Sequence, residues 1–281
     1  MILFIFEGRN DEPRIYKTLK EIFHYEFNEE EILHYYCSNI FSLYNTIKKY
    51  GAFDGSIDLI NVLKEESLKH NEITSDLHKI KYSYNVSQIF MFFDYDIRVS
   101  DKITIEDQNR QILELFDYFE NTNNNERNGV RLYINYPMIE SYRFFKNPLP
   151  DENFKHYTFD LTSKTGFKQI VHEQSYYKKT TYLCFGIHKK SGELLRKTDD
   201  LHRVKVIKQN WVHIKKLNIK KANFICTENY SIPLNKEIVN QRTIFDNQVK
   251  KYITPNHEVA ILNAFPLFWF EFSKIDTTDE L

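Results

Sequence analysis

The chain has few of the residues that mark covalent frameworks or tight turns. Its 281 residues include only 3 cysteines, 7 glycines and 7 prolines. The cysteines, Cys37, Cys184 and Cys226, lie far apart and form no C-x-x-C pair, which argues against a disulfide framework and against a structural zinc site. The sequence therefore predicts a protein of a reducing compartment, and we expect it in the cytoplasm.

Targeting and membrane-spanning patterns are also missing. The apolar run at residues 1–6 is too short for a signal peptide and ends in the acid Glu7. A later apolar run, Val259–Phe272, falls short of the ~20 residues that a membrane span needs and is interrupted by Asn263 and Pro266. We therefore expect no membrane partner.

Several nucleotide and catalytic motifs are absent. The sequence contains no G-x-x-x-x-G-K-[ST], no G-x-S-x-G and no H-E-x-x-H. The first absence excludes a P-loop, so the chain is not expected to hydrolyse nucleotides itself. The 10 histidines are scattered without metal-ligand spacing, and we interpret them as structural.

What the chain does have is a strong segregation of charge. The formal net charge is −1, yet residues 178–221 hold 13 Lys and Arg against 3 Asp and Glu, a local charge of +10. The rest of the chain therefore carries −11. Two interpretations stay open, a surface that meets a polyanion such as nucleic acid and a basic surface that is merely solvated.

The first half alternates short apolar runs with segments of helical spacing. This alternation predicts an α/β fold with a mostly parallel sheet flanked by helices. The predicted strands are residues 1–6, 32–37, 88–93 and 130–134, and the predicted helices are 13–23, 38–50, 57–68 and 105–119. The asparagine-rich tract 121–125 is predicted to be a loop.

Pro148 and Pro150 mark a predicted domain boundary. We expect an α/β domain over residues 1–147, with a helical insert at about 51–87, and a basic mixed α+β region over 148–281 that ends in helices. In that region the patterns predict strands near Thr180–Ile187 and Arg203–Ile207 and helices at Asn235–Tyr252 and Glu258–Phe272.

Acidic residues follow three of the predicted strands. Glu7 and Asp11 come after the first, Asp94 and Asp96 after the third, and Glu140 a few residues past the fourth. The carboxyl ends of parallel strands meet at one edge of a sheet, where open α/β folds hold their ligands. Clustered carboxylates repel one another unless a hard cation neutralises them. The pattern predicts a site for one or two Mg²⁺ or Mn²⁺ ions.

Each acid also has a structural alternative. Glu7 could orient the following helix, Asp11 could cap it before Pro13, and Glu140 could favour a helix N-terminus electrostatically. Glu12 is expected to be the solvated neighbour of Asp11.

Basic residues near these acids are candidates for holding a phosphate, because the arginine fork pairs with two oxygens. A second group lies in the basic segment and could contact a nucleic-acid backbone. The alternative is that these lysines lie on the edge strands of β-hairpins, where they discourage aggregation. The predicted nucleic-acid-binding residues are Arg9, Arg98, Arg143, Lys178, Lys179, Lys189 and Lys190.

The acidic motifs resemble those of a known catalytic domain. Glu7-Gly8-Arg9-Asn10-Asp11 after one strand and Asp94-Tyr95-Asp96 after another resemble the TOPRIM domain of topoisomerases, primases and OLD-type nucleases. The segment Tyr136–Tyr142 is similar to the Pro-x-x-Glu-x-Tyr helix start of OLD-like and abortive-infection nucleases. The resemblance covers residues 1–146, and the long helical insert departs from the minimal domain.

This resemblance implies roles for the acids. Glu7 matches the family glutamate that is a metal ligand or general acid/base, and Asp94 and Asp96 match its metal-binding pair. Asp11 and Glu140 match the additional acids of members that use two metals. It also implies a role in bacterial anti-phage defence, in some members beside a partner ATPase.

Three functions follow as hypotheses. The first is a Mg²⁺-dependent nuclease acting on DNA or RNA, with transfer RNA among the candidates, as a monomer or a homo-oligomer. The second is a non-catalytic nucleic-acid-binding or partner-docking module whose acids are structural. The third, a primase-like polymerase, shares the acids but lacks a recognisable nucleotide-handling segment.

Overall fold

The computed structural model describes residues 1–24, 27–51, 58–69, 76–97, 103–125, 129–188, 194–195 and 201–272. The main strands are β1 (Ile2–Phe6), β2 (Glu31–Tyr35), β3 (Gln88–Asp94) and β4 (Gly129–Asn135). The helices between them are α1 (Asp11–Ile22), α2 (Ile40–Lys49), α3 (Leu59–Lys69) and α4 (Ile105–Asn125).

The rest of the described chain is mainly helical. Its helices are α5 (Phe167–Gln174), α6 (Leu201–Thr227), α7 (Gln241–Gln248), α8 (Thr254–Asn256) and α9 (Ala264–Phe272). Its short strands are β5 (Thr158–Asp160), β6 (Gly186–Ile187), β7 (Leu194–Leu195) and β8 (Glu258–Ala260). Strands β5 and β8 pair antiparallel, as do β6 and β7.

The four long strands form one parallel sheet in the order β2-β1-β3-β4. Phe6 at the end of β1 pairs with Tyr35 of β2 on one side and with Phe92 of β3 on the other. Every residue of β1 is buried, as expected for a central strand covered on both faces. The α/β class and the parallel sheet predicted from the sequence are confirmed.

Helix α2 shows how local sequence determines the ends of an element. The side chain of Asn39 accepts a hydrogen bond from the backbone N–H of Ser42 at 3.0 Å and so caps the helix start. Gly51 adopts the left-handed conformation with φ of 67° just past the helix end, which costs glycine little because it has no Cβ.

The chain divides into two compact units. The first comprises Met1–Pro13 with Phe27–Tyr133, and the second comprises Arg14–Glu26 with Ile134–Leu281. In the first unit the core lies around the aromatic residues of the sheet; the rings of Phe92 and Tyr133 stack at 5.0 Å. The division predicted at residue 147 stays a prediction.

Four predicted elements were wrong in whole or in part. Of the strand predicted near Thr180–Ile187 only Gly186–Ile187 is a strand, because the N–H groups of Leu183 and Cys184 bond to the oxygen of Thr180 in a 3-10 turn. Residues 121–125 continue α4, because extending a helix adds one hydrogen bond per residue and the weak propensity of asparagine does not prevent it. Arg203–Ile207 belongs to α6, where burial of Ile207, Trp211 and Ile214 follows helical spacing and overrides the β-branched residues. Glu258–Ala260 forms β8, so only Ala264–Phe272 of the predicted last helix is helical.

No helix within the described ranges is both long and apolar enough to cross a membrane. Helix α9 is buried from Ala264 to Phe270, but in the core of the second unit, where it packs against α6.

The basic helix α6 contains one lysine that is completely buried. Lys221 is 0% exposed, and its Nζ donates to the backbone oxygens of Phe154 at 2.9 Å and Tyr157 at 2.6 Å. Its Nζ also lies 4.5 Å from the ring centroid of Phe154. Desolvation lowers the pKa of the ammonium well below its ordinary value of 10.5. Lys221 is therefore a structural residue of α6 and is not part of a phosphate-binding surface.

We expect Lys221→Met to lower the free energy of unfolding by about 2 kcal/mol, because the buried oxygens of Phe154 and Tyr157 each lose the hydrogen bond from the ammonium and keep only a backbone N–H donor. Urea denaturation measures this change. Lys205→Met on the exposed side of the same helix is the control and should stay within about 0.5 kcal/mol of the wild type. Equal stabilities for the two variants would contradict the structural role of Lys221.

The pH dependence of this difference has a defined sign. Because the pKa of Lys221 is lowered in the folded state, the unfolded chain binds more protons between that lowered pKa and about pH 10.5. The stability of the wild type should therefore rise relative to Lys221→Met as the pH increases from 7 to 10. A difference that shrinks over this range would contradict the assignment.

Candidate functional site

The strand order places a ligand crevice between β1 and β3. From β1 the chain goes to β2 on one side and later returns to β3 on the other, so the order reverses between β1 and β3. Open parallel sheets bind ligands outside the carboxyl ends of the strands at such a switch point. Glu7 follows β1 directly and Asp94 is the last residue of β3. Two of the predicted acids therefore border the crevice.

Glu7 is fixed to the end of β3 by its backbone and its side chain. Its N–H donates to the backbone oxygen of Phe92 at 3.1 Å, and its own oxygen accepts from the N–H of Cys37 at 2.8 Å. The carboxylate Oε2 accepts a hydrogen bond from the backbone N–H of Asp94 at 2.9 Å. The half-buried Glu7 side chain is thus brought to the Asp94 backbone, although the two residues are far apart in sequence.

The Asp94-Tyr95-Asp96 turn is anchored by its central residue. Tyr95 is 0% exposed, and its hydroxyl donates to Oδ1 of Asn109 at 2.6 Å. Burial raises the pKa of Tyr95 well above 10, so the ring stays neutral. Asp94 is 6% exposed and Asp96 is half-buried. A carboxylate as buried as that of Asp94 is costly unless it is hydrogen-bonded or binds a cation.

At the start of α1, Glu12 is more buried than Asp11, whereas the sequence predicted that Glu12 would be the solvated residue of the two. Asp11 is half-buried, whereas Glu12 is only 5% exposed. Oε1 of Glu12 accepts a hydrogen bond from the N–H of Gly8 at 3.2 Å, and a Cβ on Gly8 would lie 3.0 Å from Oε2. Glu12 therefore closes the Glu-Gly turn through its side chain. The expectation of a solvated Glu12 was wrong, because this turn N–H needs an acceptor.

Glu140 belongs to the second unit. It lies on a short 3-10 helix, Ile139–Arg143, and is 4% exposed. Its Oε1 lies 3.3 Å from Nζ of Lys168, which is itself largely exposed. The buried carboxylate thus has a cationic neighbour within its own unit.

A buried amide that the sequence analysis missed holds this short helix. Asn263 is fully buried, and its Nδ2 lies 3.1 Å from Oδ1 of Asn135, 3.1 Å from the oxygen of Ile139 and 3.0 Å from Oγ of Ser141. Its backbone N–H donates to Oδ1 of Asn218 at 2.9 Å. An asparagine in an apolar run was the available signal, because buried polar groups are almost always hydrogen-bonded.

The predicted phosphate-binding residues differ in their surroundings. The exposed Arg9 donates from Nε to Sγ of Cys37 at 2.9 Å, in the first unit. The half-buried Arg143 donates from Nη1 to the backbone oxygen of Lys178 at 2.8 Å, in the second. Lys178 and Lys179 are exposed. Arg98, Lys189 and Lys190 lie outside the described residues.

A polar cleft lies one strand away from Glu7, between β2, α2 and α3. Its volume is about 320 Å³, within the range of small-molecule sites. Tyr36 donates from its hydroxyl to Oγ1 of Thr46 at 3.3 Å, and burial raises the pKa of Tyr36. The residues that line the cleft are His34, Tyr36, Ser38, Ser42, Asn45, Thr46, Leu63, Glu66 and Ser67.

Glu7 and Asp94 carry carboxylate oxygens, the type of ligand that Mg²⁺ prefers. In the part of the chain that the structure describes, no group of three or more His, Cys, Asp or Glu side chains is placed to hold a metal. Mg²⁺ is, however, often bound by only one or two carboxylates, with water and substrate phosphates completing its octahedron. Glu7 and Asp94 offer carboxylate oxygens of this hard type.

Comparisons of the chain with protein-family models, with curated proteins and with solved structures find no match. The fold and the arrangement of the acids are therefore the basis for assigning a function.

We expect Asn263→Ala to lower the free energy of unfolding by about 3 kcal/mol, because several buried groups lose their partner and each costs about 1–3 kcal/mol. Thermal and urea denaturation measure the loss. Asn229→Ala, at an exposed position, should be neutral. A stability equal to that of the wild type would contradict the role of Asn263 as an anchor of this short helix.

Proposed function

We propose that this chain is a divalent-metal-dependent phosphodiester hydrolase, a nuclease that cuts DNA or RNA. The observation that carries the proposal is the contact between the Glu7 carboxylate and the Asp94 backbone at the switch point of a parallel sheet. A glutamate after one strand and an aspartate ending its neighbour lie at the end of the sheet where such folds bind ligands.

In this proposal Glu7 and Asp94 hold Mg²⁺ or Mn²⁺, with Asp11 and Asp96 as further carboxylates of the same unit. When bound, the cation would polarise a phosphoryl oxygen and lower the pKa of an attacking water. Glu140 is the additional acid that the TOPRIM resemblance implies, and it lies in the second unit. Arg9 and Arg143 would contact the phosphate backbone.

We propose a role in anti-phage defence, and this proposal rests on the TOPRIM resemblance. OLD-like and abortive-infection nucleases of that type act in anti-phage defence, and some work beside an ATPase. The sequence contains no P-loop motif, and we propose a partner ATPase for this chain on the basis of the resemblance.

The hydrogen bonds of Glu7 and Glu12 favour a second function, that of a non-catalytic binding module. Glu7 and Glu12 both accept hydrogen bonds from backbone N–H groups, which is what structural acids at a strand-to-helix turn do. If that is their whole role, the chain is a non-catalytic nucleic-acid-binding or partner-docking module.

Substitution of the two acids separates these functions. Glu7→Gln and Asp94→Asn should each lower Mg²⁺-dependent cleavage by about 10²-fold or more, the scale on which single catalytic groups act. Binding of the same substrate in EDTA should be retained. Cleavage is measured on plasmid, single-stranded DNA and transfer RNA with Mg²⁺, with Mn²⁺ and with EDTA.

Asp117→Asn, an exposed acid of α4, is the control and should cleave like the wild type. A wild-type protein that binds these substrates but never cuts them would support the binding module. Cleavage that persists in both variants would refute the assignment of the acids.

A further inference from the structure

A second candidate surface lies in the first unit, just before β3 begins, whereas Asp94 lies at the other end of that strand. Tyr82 and Tyr84 are 56% and 62% exposed, and their rings stack in parallel, with centroids 5.1 Å apart and an angle of 8°. Two exposed rings that lie side by side form a small contiguous apolar patch, the kind of surface feature that marks interaction sites more often than a single exposed side chain does. We name residues 78–85 the tyrosine segment.

The tyrosine segment is held rigidly to the core. Ile80 within the segment and Val86 just after it are buried. A 3-10 turn at Ser83–Asn85 closes with hydrogen bonds from the N–H of Asn85 to the oxygen of Tyr82 at 3.1 Å and from the N–H of Val86 to the oxygen of Ser83 at 2.9 Å. The N-terminal ammonium of Met1 donates to the oxygen of Asn85 at 2.9 Å. The two rings are therefore presented by an anchored backbone, which reduces the entropy lost on binding.

The charge of the tyrosine segment is of one sign. It carries His78, Lys79 and Lys81 and contains no Asp or Glu. All three basic side chains are exposed, like the two rings. Exposed aromatic rings beside cations are a combination that binds single-stranded nucleic acid, since bases stack on the rings and cations contact the phosphates.

We propose that the tyrosine segment is a binding site for single-stranded nucleic acid, in which unpaired bases stack on the Tyr82–Tyr84 pair and lysines contact the backbone. Duplexes do not fit this mode, because their bases are already stacked on one another. Residues 78–85 precede β3, whereas Asp94 ends it, so the two sites are separated by the length of one strand, about 20 Å.

This inference deepens the proposed nuclease function by naming the substrate class, and it is tested without cleavage. Binding of fluorescein-labelled 20-nucleotide single-stranded DNA and RNA, and of a 20-base-pair duplex, is measured by fluorescence anisotropy in EDTA. We expect the single strands to bind at least tenfold more tightly than the duplex. Tyr82→Ala/Tyr84→Ala should weaken single-strand binding at least tenfold.

Two control variants isolate the stacking. Tyr82→Phe/Tyr84→Phe keeps the rings and should bind within threefold of the wild type. Leu234→Ala, at a fully exposed leucine of the second unit, should bind like the wild type.

Lys81→Gln tests the lysine contacts to the backbone. It should weaken binding and reduce its dependence on salt, because fewer counterions are then released.

Some outcomes would overturn the proposal. Unchanged affinity in the double alanine variant would show that the tyrosine pair is not the binding site. Equal binding of duplex and single strand would refute the substrate class. A double alanine variant that keeps its affinity but loses a dimer in sedimentation would assign the pair to self-association. Hydrolysis of bis(p-nitrophenyl) phosphate tests the proposed catalytic function separately, because that substrate has no bases to stack.

Discussion

The parallel pairing of β1 with β3 is the interaction on which the candidate site depends. Its register sets Phe6 beside Phe92, and the next residues bring the Glu7 carboxylate to the N–H of Asp94. A slip of one residue would turn every side chain of one strand to the other face. The buried aromatic rings of both strands oppose such a slip, so the hydrophobic core is also what positions the acids.

The acids at this edge combine structural and chemical capacities. The carboxylate of Glu7 accepts a backbone hydrogen bond, and that of Glu12 closes the turn at Gly8. A carboxylate has about four lone-pair sites, so one such bond does not prevent it from binding a cation as well. The hydrogen bond also orients the side chain, which reduces the reorganisation needed when a cation binds. Structural and catalytic roles are therefore compatible at Glu7, whereas the contacts of Glu12 make it a structural residue.

The second unit is organised around polar groups buried inside an apolar core. Asn263 anchors the short helix that carries Glu140, and Lys221 supports the carbonyl groups of Phe154 and Tyr157. Asp151, 1% exposed, accepts from the N–H groups of Lys146 at 2.8 Å and Asn147 at 3.1 Å. Each of these side chains adds hydrogen bonds to backbone groups of short or irregular segments. The irregular chain between β4 and α5 can be buried because these residues supply its hydrogen bonds.

The sequence by itself determined the parallel α/β sheet and the places where its strands end, because short apolar runs and their acidic boundaries are local patterns. It also determined the capping of α2 by Asn39, which depends on neighbouring residues alone. Only the tertiary structure decided that Arg203–Ile207 is helical, since burial of Trp211 and Ile214 on one face outweighs the β-branched residues. It likewise decided that Glu12 and Lys221 are buried and that Glu7 meets Asp94, because these contacts join residues whose packing no local pattern encodes.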